Sequence, residues 1–230
     1  MKNIIKLIPI LVLTFFVGTF SLFAQELDLQ SYAPLTKGLE LKYANYDEDG
    51  EISGYYIMKV VSVSGNFSKG EIVFDQHFFD EDYEPVFDDN NLRMVVSVGP
   101  DGHYSKMDEL GKLMRVQEDV SKGDVSTIPS DIEVGSVIDN GVMNVKAGNM
   151  SAKILTSDRK VVRKETITTS AGEFEAFVVK ETQITKAVIS KEYHLETWYV
   201  RGIGAVKQLV YDRKGRLEMS QELVSFQINQ

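Results

Sequence analysis

The sequence has no cysteine, a single tryptophan and only 5 prolines among its 230 residues. Without cysteine the chain has no disulfide, no thiolate metal site, no cysteine nucleophile and no lipid attached through cysteine. Five prolines and 17 glycines are also too few for a low-complexity linker. Hydrophobic residues make up 43% of the chain, which is an ordinary globular proportion. Burial of apolar side chains must therefore provide the stability of the fold.

Basic residues are also fewer than acidic ones. The chain has 25 basic and 34 acidic residues, for a formal net charge of −9. A surface of this sign repels phosphates and anionic lipid headgroups. We therefore expect no nucleic-acid partner and no peripheral binding to anionic membranes.

The N-terminus has the layout of a secretory signal. Lys2 and Lys6 precede an apolar run over residues 7–20, and small residues follow up to Ala24. The run of about 14 residues contains Pro9, and it is shorter than the roughly 20 residues of a membrane span. We expect a signal peptide over residues 1–24, cleaved after Ala24. The mature chain of residues 25–230 is then one secreted or periplasmic domain without a membrane span, and its net charge is −11.

Alternation at period two dominates the chain from Leu39 onward and predicts antiparallel strands with one buried face. The apolar members of the clearest alternating runs are Ile72, Phe74 and Phe78; Leu92, Met94, Val96 and Val98; Tyr193, Leu195 and Tyr199; and Leu217, Met219 and Leu223. The predicted fold is mainly β, with about 10 to 12 strands in a single antiparallel sheet system curved into a barrel or half-barrel. The alternative is a two-layer β-sandwich, which requires the same alternation.

One segment departs from the strand pattern. Apolar residues recur at helical spacing from Met107 to Met114, and Asp108 is placed to cap the first turn. These positions predict one short helix over residues 108–117. A polar connection, residues 121–131, is expected to follow it and to separate two groups of strands.

Three short acidic or glycine-containing segments punctuate the strands: Asp47 to Gly50, Asp212 to Gly215, and Asp80 to Tyr83, which lacks the glycine. An aspartate can accept hydrogen bonds from the backbone two residues ahead, and a glycine supplies positive φ, so each segment predicts a tight turn. The acidic residues from Asp80 to Asn91 also allow a weak calcium site. Because Tyr56 stands where a calcium-binding loop after Gly50 would need glutamate, solvated turns are the preferred interpretation.

No motif assigns catalysis. The three histidines, His77, His103 and His194, have no spacing that places two of them on one face for zinc. His194 shares a strand face with Glu192, Glu196 and Trp198, which we interpret as a wetted face. The sequence contains no nucleophile elbow and no phosphate-binding glycine loop. We therefore assign no catalytic, cofactor-binding or metal-binding residue and expect no cofactor.

Aromatic residues, 10% of the chain, suggest another kind of site. The second strand is apolar at adjacent positions, so both of its faces must be covered. A curved barrel could enclose an apolar ligand cavity, and a plain packed core is the alternative. The side chains expected to build this interior are Tyr55, Tyr56, Met58, Phe74, Phe78 and Met94.

Several stretches in a fixed order resemble the TapB-like family, secreted bacterial proteins built from a domain of unknown function. They are residues 32–43, 46–50, 128–135, 165–176, 198–207 and 211–215. The most specific are Ala171-Gly172-Glu173-Phe174 and the run from Trp198 to Lys207 that contains Gly202 and Gly204. The resemblance implies a β-rich, half-barrel-like shell and no catalytic residues.

The sequence thus predicts a non-enzymatic secreted or periplasmic protein that binds an apolar small molecule or another envelope protein. The alternative is a periplasmic hydrolase that uses a pair of carboxylates, although their spacing selects no pair.

Overall fold

A computed structural model of the chain describes residues 32–66, 69–87, 91–99, 102–107, 120–124, 128–129, 131–147, 150–187 and 189–229. The expected signal peptide, residues 1–24, and the expected helix, residues 108–117, lie outside the described residues.

The described residues form twelve strands, in agreement with the predicted number. The strands are β1 Leu39–Tyr46, β2 Ile52–Asn66, β3 Lys69–Phe79, β4 Leu92–Gly99, β5 Gly102–Met107, β6 Val120–Asp124, β7 Gly141–Ala147, β8 Met150–Thr169, β9 Gly172–Lys186, β10 Ser190–Val200, β11 Gly204–Asp212 and β12 Leu217–Ile228. Within the described ranges, no helix is long and apolar enough to cross a membrane.

The twelve strands make one antiparallel sheet. Each strand pairs with the next along the chain, and β12 pairs with β1, so the pairing closes into a barrel. The mainly β fold is confirmed, and the two-layer alternative is not found because pairing continues around the ring. The prediction of a polar connection over residues 121–131 is wrong for residues 121–124, which belong to β6 and pair with β5 and β7.

Alternation along the strands matches burial. On β3, Ile72, Phe74, Gln76 and Phe78 are buried, while the residues between them are half-buried. Removal of these large side chains from water supplies the main favourable free energy of folding. Their alternation thus identifies the buried face of the sheet.

The three predicted turns share one geometry. In each, the aspartate side chain accepts two backbone N–H bonds: from Asp49 and Glu51 to Asp47, from Asp82 and Glu84 to Asp80, and from Lys214 and Arg216 to Asp212. The fourth residue has positive φ, +82° at Gly50 and +79° at Gly215. In the turn without glycine, Tyr83 adopts φ of +66° and its ring stacks on Phe79 with centroids 4.4 Å apart. The ring contact offsets part of the backbone strain that a bulky residue has in this region.

Both faces of β9 and β10 are buried at one end of these strands. Val178 and Trp198 belong to the main apolar cluster, whereas their neighbours Val179 and Tyr199 belong to a second cluster. Tyr32, Ile128, Ile132 and Ile138 pack on that second cluster. The connection between β6 and β7 therefore covers part of the sheet.

Candidate functional site

One sheet face can be followed around the barrel by pairing. Leu41 and Tyr43 on β1 pair with Met58 and Tyr56 on β2, and the same face continues to β3 and β4. In the other direction, the same face passes through Gln221 on β12 and Gln208 on β11 to Thr197 on β10. Leu195 lies on this face of β10 as well, and its partner on β9 is Glu181. These side chains are buried or half-buried. We call this surface the inner face.

The inner face is apolar on β1 to β4. Tyr56, Met58, Phe74, Phe78 and Met94, five of the six side chains predicted to build the interior, are buried there. They form a packed aromatic core, with the rings of Tyr56 and Phe78 5.1 Å apart and those of Tyr43 and Tyr56 5.9 Å apart. We call the inner face of these four strands the apolar half.

The sixth predicted residue, Tyr55, is half-buried on the opposite face. Its ring meets the ring of Tyr83 edge to face at 5.2 Å, and the ammonium group of Lys42 lies 5.0 Å from its centroid. Both faces of β2 are therefore covered, as predicted. The turn that contains Tyr83 covers the outer face of β2. Tyr55 packs against this turn and does not contribute to the interior.

On β8 to β12 the inner face carries buried polar side chains among apolar ones such as Val179, Val210 and Leu223. We call the inner face of these strands the polar half. Gln208 donates a hydrogen bond to the hydroxyl of Thr197 at 2.9 Å, and Gln221 donates to Asn45 of the adjoining β1 at 2.8 Å. Leu195, Val210 and Met219 form a small apolar cluster between these polar groups. The other buried polar side chains of this half are Thr156, Arg159, Glu181 and Gln183.

An ion pair joins β8 and β9 in the polar half. Nε of Arg159 donates to Oε2 of Glu181 at 3.0 Å, with only 3% and 1% of the two side chains exposed. Nη1 of Arg159 also donates to the carbonyl oxygen of Asp139 at 3.1 Å. Burial raises the pKa of Glu181, and the charge and hydrogen bond of Arg159 oppose that rise. Burying two charges costs desolvation free energy that can exceed their mutual attraction, so the presence of this pair is not explained by stability alone.

Three consecutive inward positions of β9 carry polar atoms without a partner. They are Oε1 of Glu181, Nε2 of Gln183 and Oγ1 of Thr185, each buried and with no hydrogen-bond partner among the described residues. A buried polar atom left without a partner costs about 1–3 kcal/mol, and such atoms in native proteins commonly meet water, an ion or a ligand. The row begins at the ion pair and ends at Thr185, which is half-buried near the exposed end of the strand.

Sequence reasoning missed the polar half. Glutamate, glutamine and threonine at positions 181, 183 and 185 alternate as a solvent-facing row would, and nothing local distinguishes the two cases. A weak signal was present on β3, where Gln76 interrupts a row of large apolar residues. Its side chain is buried, and its Oε1 also lacks a partner among the described residues.

The predicted wetted face of β10 is on the outside of the same strands. His194 is half-exposed, with Nε2 3.7 Å from a carboxylate oxygen of Glu192 and Nδ1 3.4 Å from the hydroxyl of Thr182. Glu196 pairs with Arg163 and Lys180. This part of the prediction agrees with the observed exposure.

Trp198, which the sequence also placed on this wetted face, is instead buried, with 6% of its surface exposed, and belongs to the main apolar cluster. Its indole N–H donates to Oε1 of Glu165 at 2.6 Å, and the guanidinium group of Arg163 lies 5.3 Å from the ring centroid. Arg163 donates to Glu165, and this bond, with the one from Trp198, lowers the pKa of the Glu165 carboxyl group. These contacts join two of the stretches that carry the family resemblance, residues 165–176 and 198–207.

The remaining candidates do not assemble into a site. His77 lies on β3, His103 on β5 and His194 on β10, and no two of these three strands pair with each other. The carboxylates of Asp47, Asp80 and Asp212 are occupied by backbone N–H groups of their own turns. In the part of the chain that the structure describes, no group of three or more His, Asp or Glu side chains is arranged to hold a metal ion.

Comparisons with known proteins agree with this architecture. The DUF3108-like family matches residues 36–223. A protein of Bacteroides fragilis, described as a candidate exported protein with a YmcC-like fold, has a TM-score of 0.64 and 22% identity, covering 84% of this chain and 97% of its own. A candidate lipoprotein of Parabacteroides distasonis has a TM-score of 0.63 and 17% identity, covering 86% of this chain and 98% of its own. No curated protein matches the sequence.

Proposed function

Since the chain belongs to the DUF3108-like family and shares its fold with a candidate exported protein and a candidate lipoprotein, we propose that it acts outside the cytoplasm as a binding protein. Within that family we propose that it is a TapB-like protein, on the strength of the motifs around Gly172 and Trp198. Cleavage after Ala24 releases the mature chain. Because the sequence has no cysteine, the chain does not carry a lipid attached through cysteine, as a bacterial lipoprotein does.

The observation that carries the binding proposal is the division of the inner face. Since the rings of the apolar half fill their own space, the contacts to an acyl chain or ring come from Leu195, Val210 and Met219, the small apolar cluster of the polar half. A polar half with unpartnered atoms offers hydrogen bonds to the other end of the same molecule. We therefore propose that the ligand is an amphiphile, which refines the apolar ligand expected from the sequence.

A carboxylate-dependent hydrolase receives less support from the geometry. Such an enzyme needs one carboxyl group kept protonated as an acid and a second one ionised beside it. Glu165 and Glu196 lie close together around Arg163, but the pKa of Glu165 is lowered and both carboxylates are paired with a cation. Glu181 has a raised pKa, yet its nearest charged partner is a guanidinium group.

The test is native mass spectrometry of the protein purified without detergent from the envelope fraction of its source bacterium. A bound species of a few hundred daltons, released by organic solvent, is the expected result, together with a chain mass that begins at Gln25. A protein with no bound small molecule but with a stoichiometric protein partner would contradict amphiphile binding and favour a docking role. Hydrolysis of an ester or glycoside library, abolished by Glu165→Gln, would contradict the non-enzymatic assignment.

A further inference from the structure

We infer that the row Glu181, Gln183 and Thr185 on β9 binds an uncharged headgroup with hydroxyls on adjacent carbons, such as a glycerol or sugar group. This assignment rests on the proposed function, because it specifies the polar end of the amphiphile. It starts from three buried atoms that have no partner in the described part of the chain, Oε1 of Glu181, Nε2 of Gln183 and Oγ1 of Thr185.

The chemistry of these atoms selects the headgroup. Oε1 of Glu181 accepts hydrogen bonds, Nε2 of Gln183 donates them, and the hydroxyl of Thr185 does both. A ligand hydroxyl can donate to the first, accept from the second and do either with the third. A carboxylate or phosphate oxygen has no proton to donate to Glu181, so an anionic headgroup leaves that oxygen without a partner.

The charges around the row also favour an uncharged headgroup. Arg159 and Glu181 neutralise each other within 3.0 Å, and both side chains are almost completely buried. Adding an anion beside the free carboxylate oxygen places like charges together where screening by water is weak. Adding a cation competes with Arg159 for the same carboxylate. An uncharged headgroup avoids both costs.

Spacing accounts for the need for two hydroxyls. Alternate residues of a strand are about 6.6 Å apart, so one small group does not reach all three side chains directly. Two hydroxyls on adjacent carbons, each with a hydrogen bond of about 2.8 Å, bridge one such gap, and a further oxygen of the same headgroup, such as its ester or ring oxygen, accepts from the third side chain. Leu195, opposite Glu181 on β10, and the neighbouring Val210 provide apolar surface for the carbon skeleton.

Calorimetric titration of the mature protein at pH 7.5 with monolaurin and with laurate tests the inference, because the two probes share an acyl chain and differ in the headgroup. Both are used below their critical micelle concentrations. We expect monolaurin to bind at least about tenfold more tightly than laurate, which is the discrimination that one or two hydrogen bonds provide.

Variants locate the headgroup. Gln183→Leu and Thr185→Val should each weaken monolaurin binding by about tenfold and leave laurate binding unchanged. The matched control is Thr182→Val, on the same strand but on the outer face beside His194, and it should leave both affinities unchanged. The thermal midpoint of ligand-free Gln183→Leu should be equal to or above that of the unaltered protein, because a buried donor without a partner has been removed.

Each result decides between the two proposals. Equal affinities for the two probes, unaffected by Gln183→Leu and Thr185→Val, would overturn the headgroup assignment and leave amphiphile binding intact. No binding of either probe would overturn amphiphile binding and the headgroup assignment with it. A raised thermal midpoint with unchanged monolaurin affinity would show that the row holds only water.

Discussion

The two halves of the inner face are built on the same strand geometry and differ in the polar groups that they bury. In the apolar half, rings such as those of Tyr56 and Phe78 fill the space and contact one another. In the polar half, an ion pair and three buried atoms without a partner among the described residues lie on β8 and β9. A core selected only for stability avoids such atoms, because each costs about 1–3 kcal/mol. The apolar half also buries two atoms without a partner among the described residues, the hydroxyl of Tyr56 and Oε1 of Gln76. What distinguishes the polar half is the buried ion pair next to a continuous row of such atoms, and we propose that this arrangement serves binding.

The largest expected effect comes from removing the cation of the buried ion pair. Arg159→Met leaves the carboxylate of Glu181 buried and unpaired, which should lower the free energy of unfolding by about 3–5 kcal/mol at pH 7.5. The folded-state pKa of Glu181 is already raised by burial and rises further without Arg159. The cost is therefore full above that raised pKa and shrinks as the pH falls through it. Urea denaturation at pH 7.5 and pH 5 measures both values.

A surface pair provides the control. Arg93 and Asp75 bond at 2.8 Å, but the arginine side chain is 51% exposed, so Arg93→Met should cost less than about 1 kcal/mol at either pH. An Arg159→Met variant that lost as little as this one would show that the buried pair is unimportant for stability. The contrast between the halves would then lose its energetic basis.

A smaller effect is expected from trimming the apolar half. Ile72 is completely buried on β3, and Ile72→Val removes one methylene group from the packed core. The expected loss is about 0.5–1.5 kcal/mol, independent of pH, because no titratable group takes part. The measurement is the same urea titration at both pH values, and a loss that varied with pH would show that a titratable group responds to packing at this position.

The smallest effect tests the polar residue inside the apolar half. Nε2 of Gln76 lies 4.0 Å from the sulfur of Met94, and its Oε1 has no partner among the described residues. Gln76→Leu should therefore leave stability unchanged or raise it by up to about 1 kcal/mol, without affecting ligand binding. A loss above 1 kcal/mol, measured by thermal unfolding, would mean that Gln76 has a functional or structural partner comparable to those of the polar half.

Much of the fold could be predicted from the sequence because its signals are local. Alternation at Ile72, Phe74 and Phe78 identified a buried strand face, and aspartate-led segments identified three turns, including the one where Tyr83 replaces glycine. Adjacent apolar residues such as Tyr55 and Tyr56 correctly indicated two covered faces. They did not indicate which ring points inward, and Tyr55 was wrongly included in the interior.

The amino-acid sequence by itself determined the strands, the turns and the sign of the surface charge, because each depends on neighbouring residues or on composition. Only the tertiary structure decided that Glu181, Gln183 and the hydroxyl oxygen of Thr185 are buried. A row of polar residues at period two can face solvent on either side of a strand. Because the sheet closes from β12 to β1, one of its faces is enclosed, and this row lies on the enclosed face. The pairing of Arg159 with Glu181 likewise depends on β8 and β9 lying side by side, which no spacing along the chain encodes.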